Sequence, residues 1–318
     1  MTKITEWAAK SGEFNRQVSS FRNLIKKGTE FEPEKNRYHL IVSYACPWAC
    51  RTLAVRKLKK LEDVISVSVV HYHMGEKGWR FATSKDECPD ADVDEKRPFV
   101  RDYYFASEPK YAARFTVPVL YDKKSDKIVN NESSEIIRIL DSSFNEFSSV
   151  PTLSFYPEEL RSEIDSVNEW VYDMINNGVY KSGFATKQDV YETNCKRVFE
   201  GLDKAEALLD KSEFLCGPFL TEADIRLFVT TVRFDPVYVG HFKCNLKTIE
   251  HGYPNILKWM RRIYQIDGIK DTVNMHHIKH HYYESHPQIN PNGITGLSNG
   301  PDLNVRVPSL AKENYYSK

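Results

Sequence analysis

The chain has 318 residues, with 44 Lys and Arg against 44 Asp and Glu, so its formal net charge is zero. That length exceeds a small disulfide-stapled scaffold and suffices for one large or two ordinary domains. The balanced charge speaks against nucleic acid or an anionic membrane as the main partner. No apolar stretch approaches the roughly 18 residues of a membrane span, and Met1-Thr2-Lys3-Ile4-Thr5-Glu6-Trp7 reads as neither a secretory signal nor a transit peptide. Six cysteines show no disulfide or zinc spacing beyond the Cys46/Cys50 pair and fit a reducing, cytosolic compartment.

Residues 1–36 are polar and charged, with a short amphipathic piece around Phe14–Ile25, and read as an N-terminal arm. A strand is expected over Tyr38–Ser43, then a basic helical run through Leu61, then a buried β-branched strand over Val64–Val70. A loop-rich insertion follows over 75–114, punctuated by Pro89, Pro98 and Pro109. Thr116–Tyr121 and Ile128-Val129, joined by a charged turn, read as a hairpin, and Asn131-Glu132-Ser133-Ser134 opens a helix. Residues 37–145 therefore form an α/β layer.

A Ser-, Asn- and Pro-rich stretch over Asn145–Pro151 reads as a linker, and the periodicity beyond it is helical, giving an all-α domain over 155–318. Helices are expected at about 157–177, 188–211, 221–234, 253–265 and 268–281, with Thr221 and Asp224 as a relative of the capping box. After His286 the chain is rich in Pro, Gly and Asn and is expected to wrap its domain as an extended tail.

Cys46 is the first chemistry-bearing residue. Pro47 at the first helical position makes it an N-cap, where free N–H groups and the helix dipole face the sulfur. Such a position favours the thiolate, the nucleophilic form. Cys50 lies one helical turn on, where either helix packing or a redox role is open, although a helical backbone aligns the pair poorly for a disulfide. Val117-Pro118 opens a strand either as a turn proline or as a cis bond that leaves the Val117 backbone to an extended peptide ligand. Glu132-Ser133 is either an ordinary helix cap or a cradle for an amino-acid head group, its helix N-terminus suiting a carboxylate and its Glu an ammonium. The run His276-His277-Ile278-Lys279-His280-His281 has i, i+4 spacing but no completing Cys or acid within it, so no metal is expected. Arg56-Lys57-Leu58-Lys59-Lys60 reads as a solvated face near a helix end.

Taken in order, these sites resemble the cysteine-type glutathione transferases, with a thioredoxin-like domain followed by an all-helical one. More narrowly they resemble the Xi-class glutathionyl-hydroquinone reductases. The segments that carry the resemblance are Cys46-Pro47-Trp48-Ala49, Gly78-Trp79-Arg80-Phe81, Arg114–Leu120, Asn131–Ser134, Asn176–Ala185, Arg233–Tyr238, His281–His286 and Ile289-Asn290-Pro291. It implies that Cys46 forms a mixed disulfide with glutathione, the co-substrate. Val117, beside Pro118, would pair with the glutathione cysteine through its backbone. Glu132 and Ser133 would hold the γ-glutamyl group, with Trp79 and Arg114 flanking the tripeptide. Tyr180 and Tyr282, both expected from the helical domain, would donate to the oxygens of a hydroquinone, although most of the 18 tyrosines are packing residues and Tyr238 and Tyr283 are further candidates. The resemblance also implies a homodimer. Cys50 departs from the His common at that position and leaves an internal resolving thiol open. Two other readings remain, an omega-like thiol transferase or dehydroascorbate reductase, and a non-catalytic interaction module.

Overall fold

The computed structural model describes residues 11–14 and 16–308. They form two compact units, one of residues 16–152 with Asp271–Ser285, the other of residues 11–14, 153–270 and 286–308. Residues 16–36, read as an arm, and Asp271–Ser285, read as part of the helical domain, thus belong to the first unit. Residues 1–10 and 15 of the expected arm and residues 309–318 of the expected tail lie outside the described residues.

The first unit is built on a four-stranded sheet in the order β2-β1-β3-β4, with β1 at Tyr38–Val42, β2 at Ser66–Val69, β3 at Val119–Asp122 and β4 at Lys127–Asn130. β1 and β2 are parallel, linked by α1 (Pro47–Leu58), while β3 is antiparallel to β1 and to β4. Tyr38, Leu40, Ile41 and Val42 are fully enclosed. That is the pattern of a central strand covered on both faces. α1 packs on α3 (Ser133–Ser142). The expected hairpin is present as β3 and β4.

Two expectations are corrected here. The insertion contains α2 (Val100–Ser107), whose start is closed by the Asp102 carboxylate accepting the Phe99 N–H at 3.0 Å. Only eight residues long and bracketed by Pro98 and Pro109, it is too short for periodicity to declare. The basic run is not a solvated face. α1 ends at Leu58, Lys60 takes a left-handed φ of 52°, and Arg56 Nε turns inward to donate to Ile65 O at 2.7 Å. Lys59 is fully enclosed, its Nζ donating to Asn145 Oδ1 at 2.8 Å with the Asp141 carboxylate 3.8 Å away.

The second unit is helical. α4 (Arg161–Trp170) continues into a π-helical turn over Val171–Asn176, followed by α5 (Gly178–Gly183), α6 (Gln188–Leu209), α7 (Glu222–Thr231), α8 (Ile249–Gly252) and α9 (Pro254–Tyr264). α6 buries Val198, Leu202, Ala205 and Leu209, a stripe at i, i+3, i+4 spacing. The Thr221–Asp224 capping box is formed, with Thr221 N and Oγ1 both donating to Asp224 Oδ2 at 2.9 Å. Asp224, fully enclosed, also accepts the Trp259 Nε1–H at 3.0 Å. The described tail lies against α9, where Arg261 and Gln265 donate to the carbonyls of Asp302 and Leu303. The last helix among the described residues, α10 (Met275–Ser285), begins later than expected because a 3₁₀ turn occupies Lys270–Thr272, and it sits in the first unit.

Candidate active site

Past the end of β1 the chain turns sharply, with Ala45 N–H donating to Ser43 Oγ and Cys46 N–H to Ser43 O, both at 3.2 Å. Cys46 is then the N-cap of α1, in extended conformation with Pro47 next. Its sulfur makes no side-chain cap bond to its own helix. The thiol instead donates to Val117 O at 3.5 Å. The Val117–Pro118 peptide is cis, the sharper of the two readings, and the buried Val117 N–H meets no acceptor among the described residues.

α2 anchors this segment from behind. Tyr104 Oη donates to Thr116 O at 2.8 Å, while Thr116 N–H and Asn131 Nδ2 donate back to it at 3.2 and 3.1 Å. Burial pushes the Tyr104 phenol up to about 12, against the pull of those hydrogen bonds, so it is a neutral strut.

Glu132 is the N-cap of α3. Its carboxylate accepts Ser134 N–H at 3.1 Å and Ser134 Oγ at 2.8 Å, and Ser19 Oγ from the arm at 3.0 Å. Burial alone would raise its pKa, but the Ser134 and Ser19 bonds and the nearby Arg51 charge outweigh it and hold the group below the ordinary carboxylate range. Glu132 is thus an ionised acceptor at neutral pH, and Ser133, buried, opens the helix beside it. Helix capping is therefore present, and it leaves a fixed negative charge for an ammonium.

Arg114 is half-buried, its N–H donating to Gln17 Oε1 at 3.1 Å. Burial, then the charge of Arg16, lowers its pKa. Trp79 is stacked on His281 at 4.5 Å between centroids, and His281 Nδ1 faces Tyr72 O at 2.8 Å, which fixes the imidazole. Trp48 carries two guanidiniums on its ring, Arg16 at 3.8 Å and Arg51 at 4.6 Å. Arg16, Ser19, Arg51 and Tyr104 escaped the reading of the sequence. Arg16 and Ser19 lie on the polar side of a short amphipathic piece with no motif, and Arg51 reads there as one more cation of a basic helix.

The two phenols fall in different units. Tyr180, on α5, is half-buried among Phe14, Phe184, Tyr238 and Phe242, with Phe242 edge-on at 5.5 Å. Gly183 makes room for this cluster, because a Cβ there would stand 2.1 Å from the Phe242 ring. Tyr282 was expected from the helical domain but lies on α10 in the first unit. It is buried, edge-on to His281 at 5.2 Å. Tyr283 beside it is half-buried, and burial raises its phenol pKa. Tyr238 is fully enclosed.

Cys50 is also fully enclosed, its thiol donating to Thr272 O at 3.3 Å. In the histidine run, His277 Nε2 lies 3.5 Å from Cys88 Sγ and His280 pairs with Glu284. Among the described residues no group of three or more His, Cys, Asp or Glu is arranged to hold a metal ion.

A thiol at a helix N-cap, a cis-proline segment against it and an ionised Glu-Ser helix start on one mixed sheet form a thioredoxin-like arrangement, and the comparisons show the family to which that fold belongs. Residues 45–143 match the family model of the glutathione S-transferase N-terminal domain and residues 188–262 that of the C-terminal domain. A glutathione S-transferase omega-like 2 of Schizosaccharomyces pombe is 53% identical, over 96% of this chain and 98% of that protein. The glutathionyl-hydroquinone reductase YqjG of Escherichia coli is 48% identical, over 92% of this chain and 90% of that protein. Its glutathione-bound structure matches with a TM-score of 0.85, over 90% of this chain and 94% of that one. The glutathione S-transferase Xi structure from Phanerochaete chrysosporium matches with a TM-score of 0.89 at 55% identity, covering 92% and 94% of the two chains. The chain belongs to the glutathione transferase family, in the Xi-class branch that holds the glutathionyl-hydroquinone reductases.

Proposed function

We propose that this protein is a glutathione-dependent reductase that removes glutathione from glutathionyl-hydroquinones. The observation that carries the thiol chemistry is the Cys46 Sγ at the N-cap of α1, 3.5 Å from the Val117 carbonyl. The substrate class follows from the glutathionyl-hydroquinone reductase at 48% identity.

In the first half-reaction the Cys46 thiolate attacks the glutathione sulfur of the conjugate. An S–S bond forms, the aryl C–S bond breaks, and its electron pair stays on the aromatic carbon, which takes a proton. The products are hydroquinone and a Cys46–glutathione mixed disulfide. In the second, a glutathione thiolate attacks the glutathione sulfur of that disulfide, giving oxidised glutathione and regenerating the Cys46 thiolate. The tripeptide contributes its two electrons and the substrate is reduced.

An aromatic carbanion is a poor leaving group, so proton donation decides the first step. The Tyr180 and Tyr282 phenols are the proposed donors, since a phenol O–H can give up a proton and take it back. Val117 presents its backbone to the cysteine residue of glutathione, Glu132 and Ser133 hold the γ-glutamyl group, and Trp79 and Arg114 flank the peptide. The reading includes a reducing, cytosolic setting, which six reduced cysteines fit, and a homodimer, which size-exclusion chromatography tests.

The decisive assay compares turnover of a glutathionyl-hydroquinone with that of hydroxyethyl disulfide on the purified protein. A strong preference for the conjugate is expected. A strong preference for the disulfide overturns the reading in favour of an omega-like thiol transferase or dehydroascorbate reductase. Turnover of neither substrate leaves an interaction module.

A further inference from the structure

Residues 16–23 carry no motif, yet they are built into the first unit along β4 and the start of α3. Asn23 N–H donates to Val129 O at 3.0 Å, and Arg22 makes an antiparallel bridge to Asn130. Phe21 N–H donates to Asn131 Oδ1 at 3.1 Å, and Phe21 O accepts the Asn131 N–H at 3.0 Å. The Arg22 guanidinium pairs with Glu135. These bonds fix the register of the segment beside the residues proposed to bind glutathione.

Side chains before that anchor reach the same residues. Ser19 Oγ donates to Glu132 at 3.0 Å, Gln17 Oε1 accepts the Arg114 N–H at 3.1 Å, and the Arg16 guanidinium lies 3.8 Å over the Trp48 ring. Trp48 is two residues from Cys46. Arg16 forms no ion pair among the described residues, and its charge acts on Arg114 as a like charge does, lowering that group's pKa after burial has done so. Two guanidiniums within electrostatic reach repel each other unless an anion is shared between them. A guanidinium held over an indole still has N–H donors to offer a carboxylate.

We propose that Arg16 is a further glutathione-binding residue: with Arg114 it holds one of the tripeptide's two carboxylates, and the arm is a wall of the glutathione groove. The inference rests on the reading of this site as a glutathione site and adds to it a residue and a role for the arm.

The test measures glutathione binding calorimetrically on the full chain carrying Cys46→Ser, so that no mixed disulfide forms. Adding Arg16→Ala is expected to weaken glutathione roughly tenfold, the lower end for a charge-assisted hydrogen bond, and Arg16→Lys to recover part of the loss. γ-Glutamylcysteine lacks the glycine carboxylate and cysteinylglycine lacks the γ-glutamyl one. The Arg16→Ala loss is expected to vanish for whichever peptide lacks the carboxylate that Arg16 holds, and to persist for the other. Equal losses with both peptides mean that Arg16 acts through folding, and the proposal fails. Unchanged glutathione binding in Arg16→Ala also overturns it while leaving the glutathione site intact. If the Cys46→Ser parent binds no glutathione at all, the proposed function itself fails.

Discussion

The Cys46 thiol and the Val117 carbonyl oxygen are 3.5 Å apart, so the proposed nucleophile touches the backbone segment that ends in the cis proline. A glutathione sulfur bonded to Cys46 would stand about 2 Å from it, which puts the tripeptide's cysteine residue within reach of the Val117 main chain. Cys46→Ser keeps the volume and the donor to Val117 but removes the thiolate. Turnover of the conjugate is expected to fall by roughly a thousandfold or more, while glutathione binding survives. Steady-state kinetics and calorimetry on one preparation check both halves; full turnover in the variant sinks the scheme.

Cys50 bears on how the mixed disulfide is resolved. Its thiol is enclosed and engaged with Thr272 O, while that of Cys46 faces Val117 O. Glutathione is therefore expected to resolve Cys46. Cys50→Ser, which retains a donor for Thr272, is expected to keep kcat within about threefold of the parent. Mass spectrometry of the protein treated with conjugate in the absence of free glutathione is expected to show the Cys46–glutathione adduct equally in both. An adduct that accumulates only in Cys50→Ser makes Cys50 the resolving thiol.

Tyr180→Phe separates proton donation from thiol exchange. The substitution keeps the ring against Phe14, Phe184 and Phe242 and deletes only the hydroxyl. Reduction of the glutathionyl-hydroquinone is expected to slow by about a hundredfold, the scale of general-acid catalysis, while reduction of hydroxyethyl disulfide changes little. Equal effects on both substrates would remove Tyr180 from the proton-donating role.

The buried Lys59 gives a stability test of the corrected basic run. Burial lowers its pKa and Asp141 raises it, and the ammonium lies 3.8 Å from the Asp141 carboxylate and donates to Asn145. Lys59→Met leaves Asp141 without that cation and is expected to destabilise the protein by roughly 3 kcal/mol, as breaking buried ion pairs does. Lys57→Met, two residues away on a side chain that pairs only at the surface, is expected to change stability by no more than about 0.5 kcal/mol. Urea unfolding midpoints of the two variants compare them directly.

These residues also show what a sequence can disclose. Cys46-Pro47 was legible because an N-cap followed by proline is a local signal, and the Thr221–Asp224 box was legible for the same reason. The strands of the sheet were legible from β-branched runs between turns. Lys59 was not: whether a cation at a helix end meets solvent or Asp141 depends on α3, more than seventy residues away. Arg16 and Ser19 depend in the same way on Trp48 and Glu132. The place of Tyr282 was not legible, because α10 packs into the first unit through contacts such as Met74 N–H to Ser285 Oγ, which no local pattern announces.

Acid sensitivity follows from the histidines held at about 4, namely His39, His71, His241 and His277, of which His277 in the first unit and His241 in the second serve as the test. His277, fully enclosed, has its pKa held at about 4, first by burial and then by neighbouring histidines, with Asp90 opposing. His241, also buried, is held at about 4 by burial and then by Lys243, its Nε2 lying 3.0 Å from His286 Nδ1. In the unfolded chain both return to about 6.5. Between these values the unfolded state binds more protons than the folded one, so unfolding free energy rises with pH across that window. The stability they contribute is complete above about pH 6.5 and is lost as pH falls towards about 4, by up to ~1.4 kcal/mol per pH unit for each group. Unfolding midpoints in urea, measured from pH 7.5 down to 4.5, are expected to fall with that sign. His241→Gln and His277→Gln, which cannot take up the proton, are expected to flatten the profile; a variant that keeps the full acid slope removes that histidine from the account.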